Sequence, residues 1–234
     1  MVDCLAAYSE IMERLSFCMN EVSIASGFHR FVDISSGEKI TTRRDSPVVE
    51  NKWVMAMAPA RCDLAGGWSD TPPICYEYGG SVTGMAVLVD NHMPLSCRCR
   101  ILPGEKGIPL RTELRCSNNG SIKSFLHSEI TEISHLSDFR DPLSDCALVK
   151  SAVVCLGMVT EEQIRSGAEL QPLVNKFCSS QEDVRIEIVP TSLLPHGSGM
   201  GTSSMLGGCI LAAIARCVGI GELSDDYLLH AFLM

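Results

Sequence analysis

An α+β fold is what this sequence predicts, with most strands gathered in its middle and helices toward its end. Three observations predict it. Short apolar or alternating segments recur at 53–58, 81–90, 95–102, 111–116, 121–126 and 184–189, as half-buried strands require. Helical spacing of apolar residues takes over at 142–159 and 203–218. Strands in a run and then helices favour segregated layers over a doubly wound sheet.

Each element has its own justification. Residues 3–19 place Leu5, Ala6, Ile11, Met12, Leu15 and Cys18 near helical period, and 33–51 are polar. Residues 1–50 are therefore expected to be a helical and linker segment, and 51–234 a single domain. Trp53–Ala58 is a short apolar strand that ends at Pro59, and Gly79-Gly80 leads into the strand 81–90. Asn119-Gly120 predicts a hairpin turn between the strands 111–116 and 121–126. Leu143, Ala147, Leu148, Val153, Val154 and Leu156 mark a buried helix over 142–159. Ser203–Val218 is a helix rich in small residues, and Ser224-Asp225 caps the start of another.

Composition narrows the function. The 234 residues carry 28 acids against 19 bases, a net charge of −9. No basic stripe pairs with a phosphate backbone, so nucleic acid is not expected as a partner. Arg98, Arg100 and Lys106 cluster locally and are expected on a solvated strand face. No run of 18 apolar residues and no secretory leader occur, so neither a membrane span nor export is expected. The twelve cysteines contain no CxxC pair. They are expected as free, mostly buried thiols in a reducing cytoplasm.

The chemistry concentrates in two segments. The first is Pro195-His196-Gly197-Ser198-Gly199-Met200-Gly201-Thr202-Ser203-Ser204. Glycines at alternate positions let the backbone turn with positive φ and present successive N–H groups. The helix that follows offers unpaired N–H donors and a dipole that favours anions. Hydroxyls on Thr202, Ser203 and Ser204 can bind phosphate oxygens or a magnesium ion. The pattern is neither a Walker loop nor GxGxxG; a glycine-rich turn capped by serine is the plain alternative. The second segment is Arg61-Cys62-Asp63-Leu64-Ala65-Gly66-Gly67-Trp68-Ser69-Asp70, a strand running into a glycine turn with one Arg and two Asp. An Asp on such a turn can accept hydrogen bonds from sugar hydroxyls, and an Arg can neutralise charge on a transferring phosphoryl group. From spacing alone, a surface turn with a structural Arg–Asp pair is the better account.

Both segments resemble motifs of the GHMP small-molecule kinases. Pro195 to Ser203 is similar to that family's central motif Pro-x-x-x-Gly-Leu-Gly-Ser-Ser, with Met at 200 and Thr at 202 as mild departures. Ala65-Gly66-Gly67-Trp68-Ser69-Asp70-Thr71-Pro72-Pro73 looks like the first motif in the form seen in L-fucokinases, which reverses the preference for a structural turn. Tyr78-Gly79-Gly80-Ser81-Val82 adds to the likeness. The resemblance implies the N-terminal, ATP-binding domain of the GHMP fold (ribosomal protein S5 domain 2-like). It implies ATP contacts at Pro195, Gly197, Ser198, Gly199, Gly201, Thr202, Ser203 and Ser204, with Ser203 on Mg²⁺. It implies Arg61 near the reacting centre, Asp70 on the sugar, and Gly66, Gly67 and Trp68 shaping the sugar pocket. The implied reaction is ATP-dependent phosphorylation of L-fucose at its anomeric hydroxyl, feeding GDP-fucose salvage. A heptose or other sugar kinase, and a non-catalytic ATP- or sugar-binding module or unproductive fragment, are the alternatives.

The family also needs a third glycine motif, an acidic Mg²⁺ ligand and an Asp near the attacking hydroxyl. In fucokinases both acids follow the helix that begins here at Ser224, and the chain reaches Met234 before them. The domain is therefore expected to be incomplete at its C-terminus, poorly stable, and nearly inactive by itself.

Overall fold

The computed structural model describes residues 51–69, 74–115, 122–194, 198 and 200–219. All of them fall in a unit spanning 42–234. In chain order they form β1 (Val54–Ala58), β2 (Ala60–Ala65), a short α1 (Ile74–Tyr78), β3 (Thr83–Val87), β4 (Leu95–Pro103), β5 (Ile108–Arg115), β6 (Ile122–Ile130), a 3₁₀ turn (Ile133–Leu136), α2 (Ala147–Cys155), α3 (Glu161–Ser166), α4 (Leu170–Phe177), β7 (Val184–Ser192) and α5 (Thr202–Cys217). The fold is α+β, as the sequence predicts. The helix expected over 3–19, the Asn119-Gly120 turn and the helix from Ser224 lie outside the described residues.

Five strands make one sheet in the order β1-β4-β7-β5-β6, and β2 pairs with β3 in a separate ribbon. The β5–β7 pair is parallel; β1–β4, β4–β7 and β5–β6 are antiparallel. Alternation in β4 sets which face is the core. Leu95, Cys97, Cys99 and Ile101 are buried, while Ser96, Arg98 and Arg100 between them are half-buried. Val184, Ile186 and Ile188 of β7 join the same core. β7 runs on through Pro190 to Ser192, three residues past the predicted end. Proline removes a ladder donor, and the pairing with β5 is found on either side of it, at Ile188 and Thr191.

The helices cover this apolar face. α5 contributes Cys209, Ile210, Ala213, Ile214 and Cys217, α2 Val149, Ala152 and Val153, and α4 Leu170 and Val174. Gly207, Ala213 and Ala215 are buried along α5. With so little side chain there, its backbone can approach the sheet closely. The buried helix predicted over 142–159 shrinks to nine residues. Polar groups explain its late start: the Leu143 N–H donates to Asp141 Oδ1 (2.9 Å), the Ser144 hydroxyl to Asp138 Oδ2 (2.6 Å), and Cys146 is left-handed with φ 59°. Such local side-chain bonds compete with helix. Gly157, at φ 73°, follows its end. The Glu161-Glu162 pair, readable in the sequence as an exposed helix start, opens α3, capped by a box in which Thr160 Oγ1 accepts from the Gln163 N–H and Gln163 Oε1 from the Thr160 N–H.

The cluster of Arg98, Arg100 and Lys106 is not a plain solvated face. Arg98 and Arg100 both stack on the Trp53 ring, at 5.1 and 4.4 Å from its centroid. Arg100 Nε also donates to Glu187 Oε2 at 2.7 Å, which gives that buried carboxylate a partner. Lys106 pairs separately with Asp183 at 3.0 Å. Among the described residues no helix is long and apolar enough to cross a membrane.

Candidate phosphate and sugar site

The helix α5 begins at Gly201, which sits in the left-handed region at φ 63°. The first helical bond of that turn runs from the Met205 N–H to the Gly201 carbonyl at 3.2 Å. The N–H groups of Thr202, Ser203 and Ser204 therefore precede the helical ladder and can serve an external acceptor. The hydroxyls of this turn are not equivalent. Ser198 Oγ and Thr202 Oγ1 bond each other at 3.2 Å, and the Ser204 hydroxyl donates to the Gly201 carbonyl at 3.0 Å. Ser203 is exposed and its hydroxyl bonds to none of the described residues. Pro195, Gly197 and Gly199 of the same segment lie outside the described residues.

The first motif divides differently from the sequence expectation. After Pro59 the chain starts a second strand, so Arg61 and Asp63 stand on β2 rather than on a turn. They face the same side, as residues two apart on a strand must. Arg61 Nε meets Asp63 Oδ1 at 2.9 Å and Nη2 meets Oδ2 at 3.1 Å, a bidentate pair. The structural Arg–Asp pair that spacing suggests does exist.

That pair lies against the other motif. A Cβ on Gly201 would be 3.6 Å from Arg61 Nε and 3.7 Å from its Cζ and Nη2. The two segments, 140 positions apart by subtraction of 61 from 201, thus meet at the start of α5. A guanidinium, a glycine without side chain, open helical N–H groups and an open hydroxyl converge there. Their chemistry suits a polyphosphate: cationic and N–H donors for its oxygens, and the Ser203 oxygen for an associated divalent ion. The helix dipole adds to the same preference.

The glycine turn after β2 is fixed by its own backbone. Gly66 has φ 76°, and a Cβ there would lie 2.0 Å from the Ser81 carbonyl, so only glycine fits. Ser69 closes the turn: its hydroxyl donates to the Gly66 carbonyl at 2.6 Å and accepts from the Ser81 N–H at 3.1 Å. A Cβ on Gly67 would approach Asp63 Oδ2 at 3.5 Å. Trp68 is left-handed at φ 74° and 79% exposed, so its ring presents a face to solvent. Asp70 lies outside the described residues. Sequence reasoning gave no role to Ser69, and it gave the sugar contact to Asp70 and no role to Asp63. The period of two between Arg61 and Asp63 was the signal for the latter.

Lys150 of α2 is only 7% exposed. Its Nζ donates to Asp138 Oδ1 at 2.8 Å, Asp138 Oδ2 at 3.0 Å and Ser144 Oγ at 2.8 Å, so its three donors are used. It is a structural group that ties α2 to the loop before it. His135 is exposed, and its Nδ1 accepts from the Thr131 N–H at 3.4 Å. The side chain of His127, and His196, lie outside the described set.

No protein-family model matches the chain. Among curated proteins it is 28% identical over 184 residues to the L-fucokinase/L-fucose-1-P guanylyltransferase of Bacteroides fragilis, covering 77% of this chain. It is 26% identical over 220 residues to the bifunctional fucokinase/GDP-fucose pyrophosphorylase of Arabidopsis thaliana, covering 91% of this chain. The matches span 18% of the length of each of these relatives. Among solved structures, a D-glycero-D-manno-heptose 1-phosphate kinase from Bacteroides thetaiotaomicron aligns at 24% identity and a TM-score of 0.43, over 76% of this chain and 47% of that one. A mevalonate kinase from Methanococcus jannaschii aligns at 14% identity and a TM-score of 0.42, over 79% and 46%. In sequence, then, the chain resembles the GHMP small-molecule kinases, and within them the fucokinases, over the N-terminal part of the kinase.

Proposed function

We propose that residues 51–234 belong to the ATP-binding domain of a sugar kinase that transfers a phosphoryl group from ATP to the anomeric hydroxyl of L-fucose. One observation carries the reading: Arg61 of the first glycine motif lies against Gly201 at the start of α5, which supports a single anion site served by both motifs. The fucokinase names of both curated relatives support the choice of sugar. ATP, when bound with Mg²⁺, supplies the phosphoryl group. The N–H groups of Thr202, Ser203 and Ser204 would hold its phosphate oxygens, together with the rest of the loop from Pro195 to Gly199. The Ser203 oxygen would take a place on the Mg²⁺ ion. Arg61 would offset negative charge on the moving phosphoryl group, an effect strongest in the transition state. Asp70 would accept hydrogen bonds from the sugar hydroxyls, and Gly66, Gly67 and Trp68 would shape its pocket. The product is fucose 1-phosphate, as GDP-fucose salvage requires, with ADP and a proton released.

Residues 1–234 by themselves are expected to bind better than they turn over. Asp63 is already committed to Arg61, while phosphoryl transfer also needs acids for the metal and for the attacking hydroxyl. The nine described cysteines form no disulfide with one another, which supports a reducing cytoplasm as the setting.

Calorimetric titration of the chain with ATP–Mg²⁺, L-fucose and a heptose phosphate tests this, with anomeric phosphate followed by phosphorus NMR. Binding of ATP–Mg²⁺ and preference for L-fucose support the proposal. Binding of neither ATP nor any sugar contradicts it, and preference for the heptose corrects the substrate. Turnover near that of an intact sugar kinase would refute the weak-activity clause alone.

A further inference from the structure

We propose that Asp63 is a positioning residue. It holds the Arg61 guanidinium in place at the start of α5, so that the outer edge of that group meets a phosphate oxygen. The inference rests on the kinase reading above and adds a residue to it.

The pair uses one edge of the guanidinium. Nε and Nη2 face the two carboxylate oxygens of Asp63 at 2.9 and 3.1 Å. Nη1 has no partner among the described residues, so it and the second hydrogen of Nη2 form an open fork. A fork of two parallel N–H groups matches a phosphate oxygen pair. With side chains 46% and 31% exposed, the pair adds little to folding. What it does is fix an otherwise flexible side chain whose guanidinium passes 3.6–3.7 Å from the Cβ position of Gly201.

Asp63 is itself seated against two glycines, tightly at Gly84 and in ordinary contact at Gly67. A Cβ on Gly84 of β3 would stand 3.3 Å from Asp63 Oδ1 and 3.6 Å from Arg61 Cγ; one on Gly67 would stand 3.5 Å from Oδ2. β3 pairs Gly84 directly opposite Asp63. Strand, turn and partner strand thus converge on the carboxylate. An isolated surface ion pair needs no such seat.

A carboxylate close to a phosphate site also repels the phosphate. Orientation and repulsion act in opposite directions, and they can be separated. Repulsion between exposed charges is weakened at about 0.3 M salt, where the Debye length is below 8 Å. Orientation is a geometric effect and persists.

The test titrates the whole chain with ATP–Mg²⁺ and with inorganic tripolyphosphate at that salt, and checks folding of every variant by circular dichroism. Arg61→Ala should weaken binding about tenfold. Asp63→Ala should weaken it about threefold or more. Asp63→Asn keeps one acceptor for Nε and should fall between Asp63→Ala and the unsubstituted chain. Gly84→Ala keeps every charge but crowds Asp63, and should also weaken binding. On an Arg61→Ala background, Asp63→Ala should cause no further loss. Unchanged or tighter binding by a folded Asp63→Ala chain overturns the proposal, as does an equal loss with and without Arg61. If Asp63→Ala does not fold, Gly84→Ala decides by the same comparison. Absence of binding by the unsubstituted chain would instead overturn the kinase reading, and this inference with it.

Discussion

Gly66 shows how a single missing Cβ can shape the sugar turn. Its φ of 76° and the 2.0 Å approach of Ser81 O to the Cβ position leave no room for alanine. Gly66→Ala should destabilise the chain by more than about 2 kcal/mol, since left-handed strain and a backbone clash add. Urea denaturation checks this. Gly79, with φ 73° and nothing within 4 Å of its Cβ position, is the control; Gly79→Ala should cost about 1 kcal/mol from conformation alone. The glycines were legible in the sequence as a motif, but their separate duties were not, because each depends on which backbone passes by. The same holds for the serines of the second motif. All were candidates as phosphate ligands; the family resemblance alone put Ser203 on Mg²⁺, and the hydrogen bonds add a physical distinction between the open Ser203 and the engaged Ser198, Thr202 and Ser204.

At the scale of elements, strands of regular alternation were read well. β4 ends one residue beyond its prediction, and β1 starts one residue late. Errors fell where tertiary contacts or side-chain bonds override local pattern. α2 loses its first turns to the Asp138, Asp141 and Ser144 bonds. The short helix α4 escaped notice because its apolar period is brief. The loop ahead of α2 carries a prediction of its own. The Asp138 carboxyl is held below its usual range first by the Lys150 hydrogen bonds and then by Ser144, against some desolvation. Its folded-state value is therefore the lower one. The stabilisation it gives is complete above the unfolded carboxylate value of about 4 and is lost as pH falls through the folded value. Asp138→Ala would leave the Lys150 ammonium buried without its carboxylate. The cost should be roughly 2 kcal/mol near neutral pH, less than for a fully buried pair because Asp138 is half exposed. Thermal melts should show the two proteins converging as pH falls through the folded-state value of Asp138.

Across the whole molecule, the central sheet and α5 form one core that carries an unusual number of thiols. Cys97, Cys99, Cys178, Cys209 and Cys217 are all buried. Burial pushes the Cys209 thiol up to about 11 and that of Cys97 higher still, while a hydrogen bond with Cys217 and burial together raise Cys99. These five should resist a polar disulfide reagent at pH 8 in the folded chain and react fully in guanidinium, as mass spectrometry of the labelled protein would show. Their placement as small apolar residues was legible from composition and from the strand spacing of Cys97 and Cys99. What no local pattern could supply was the meeting of 61–69 with 198–204, because it is made by the packing of β2 beside α5. That meeting is the central claim, and a double-mutant cycle tests it most directly. ATP–Mg²⁺ affinity is measured for the unsubstituted chain, Arg61→Ala, Ser203→Ala and the double variant. If both motifs grip one polyphosphate, the losses should be coupled by about 1 kcal/mol or more. Strictly additive losses, or none from Arg61→Ala, would contradict it.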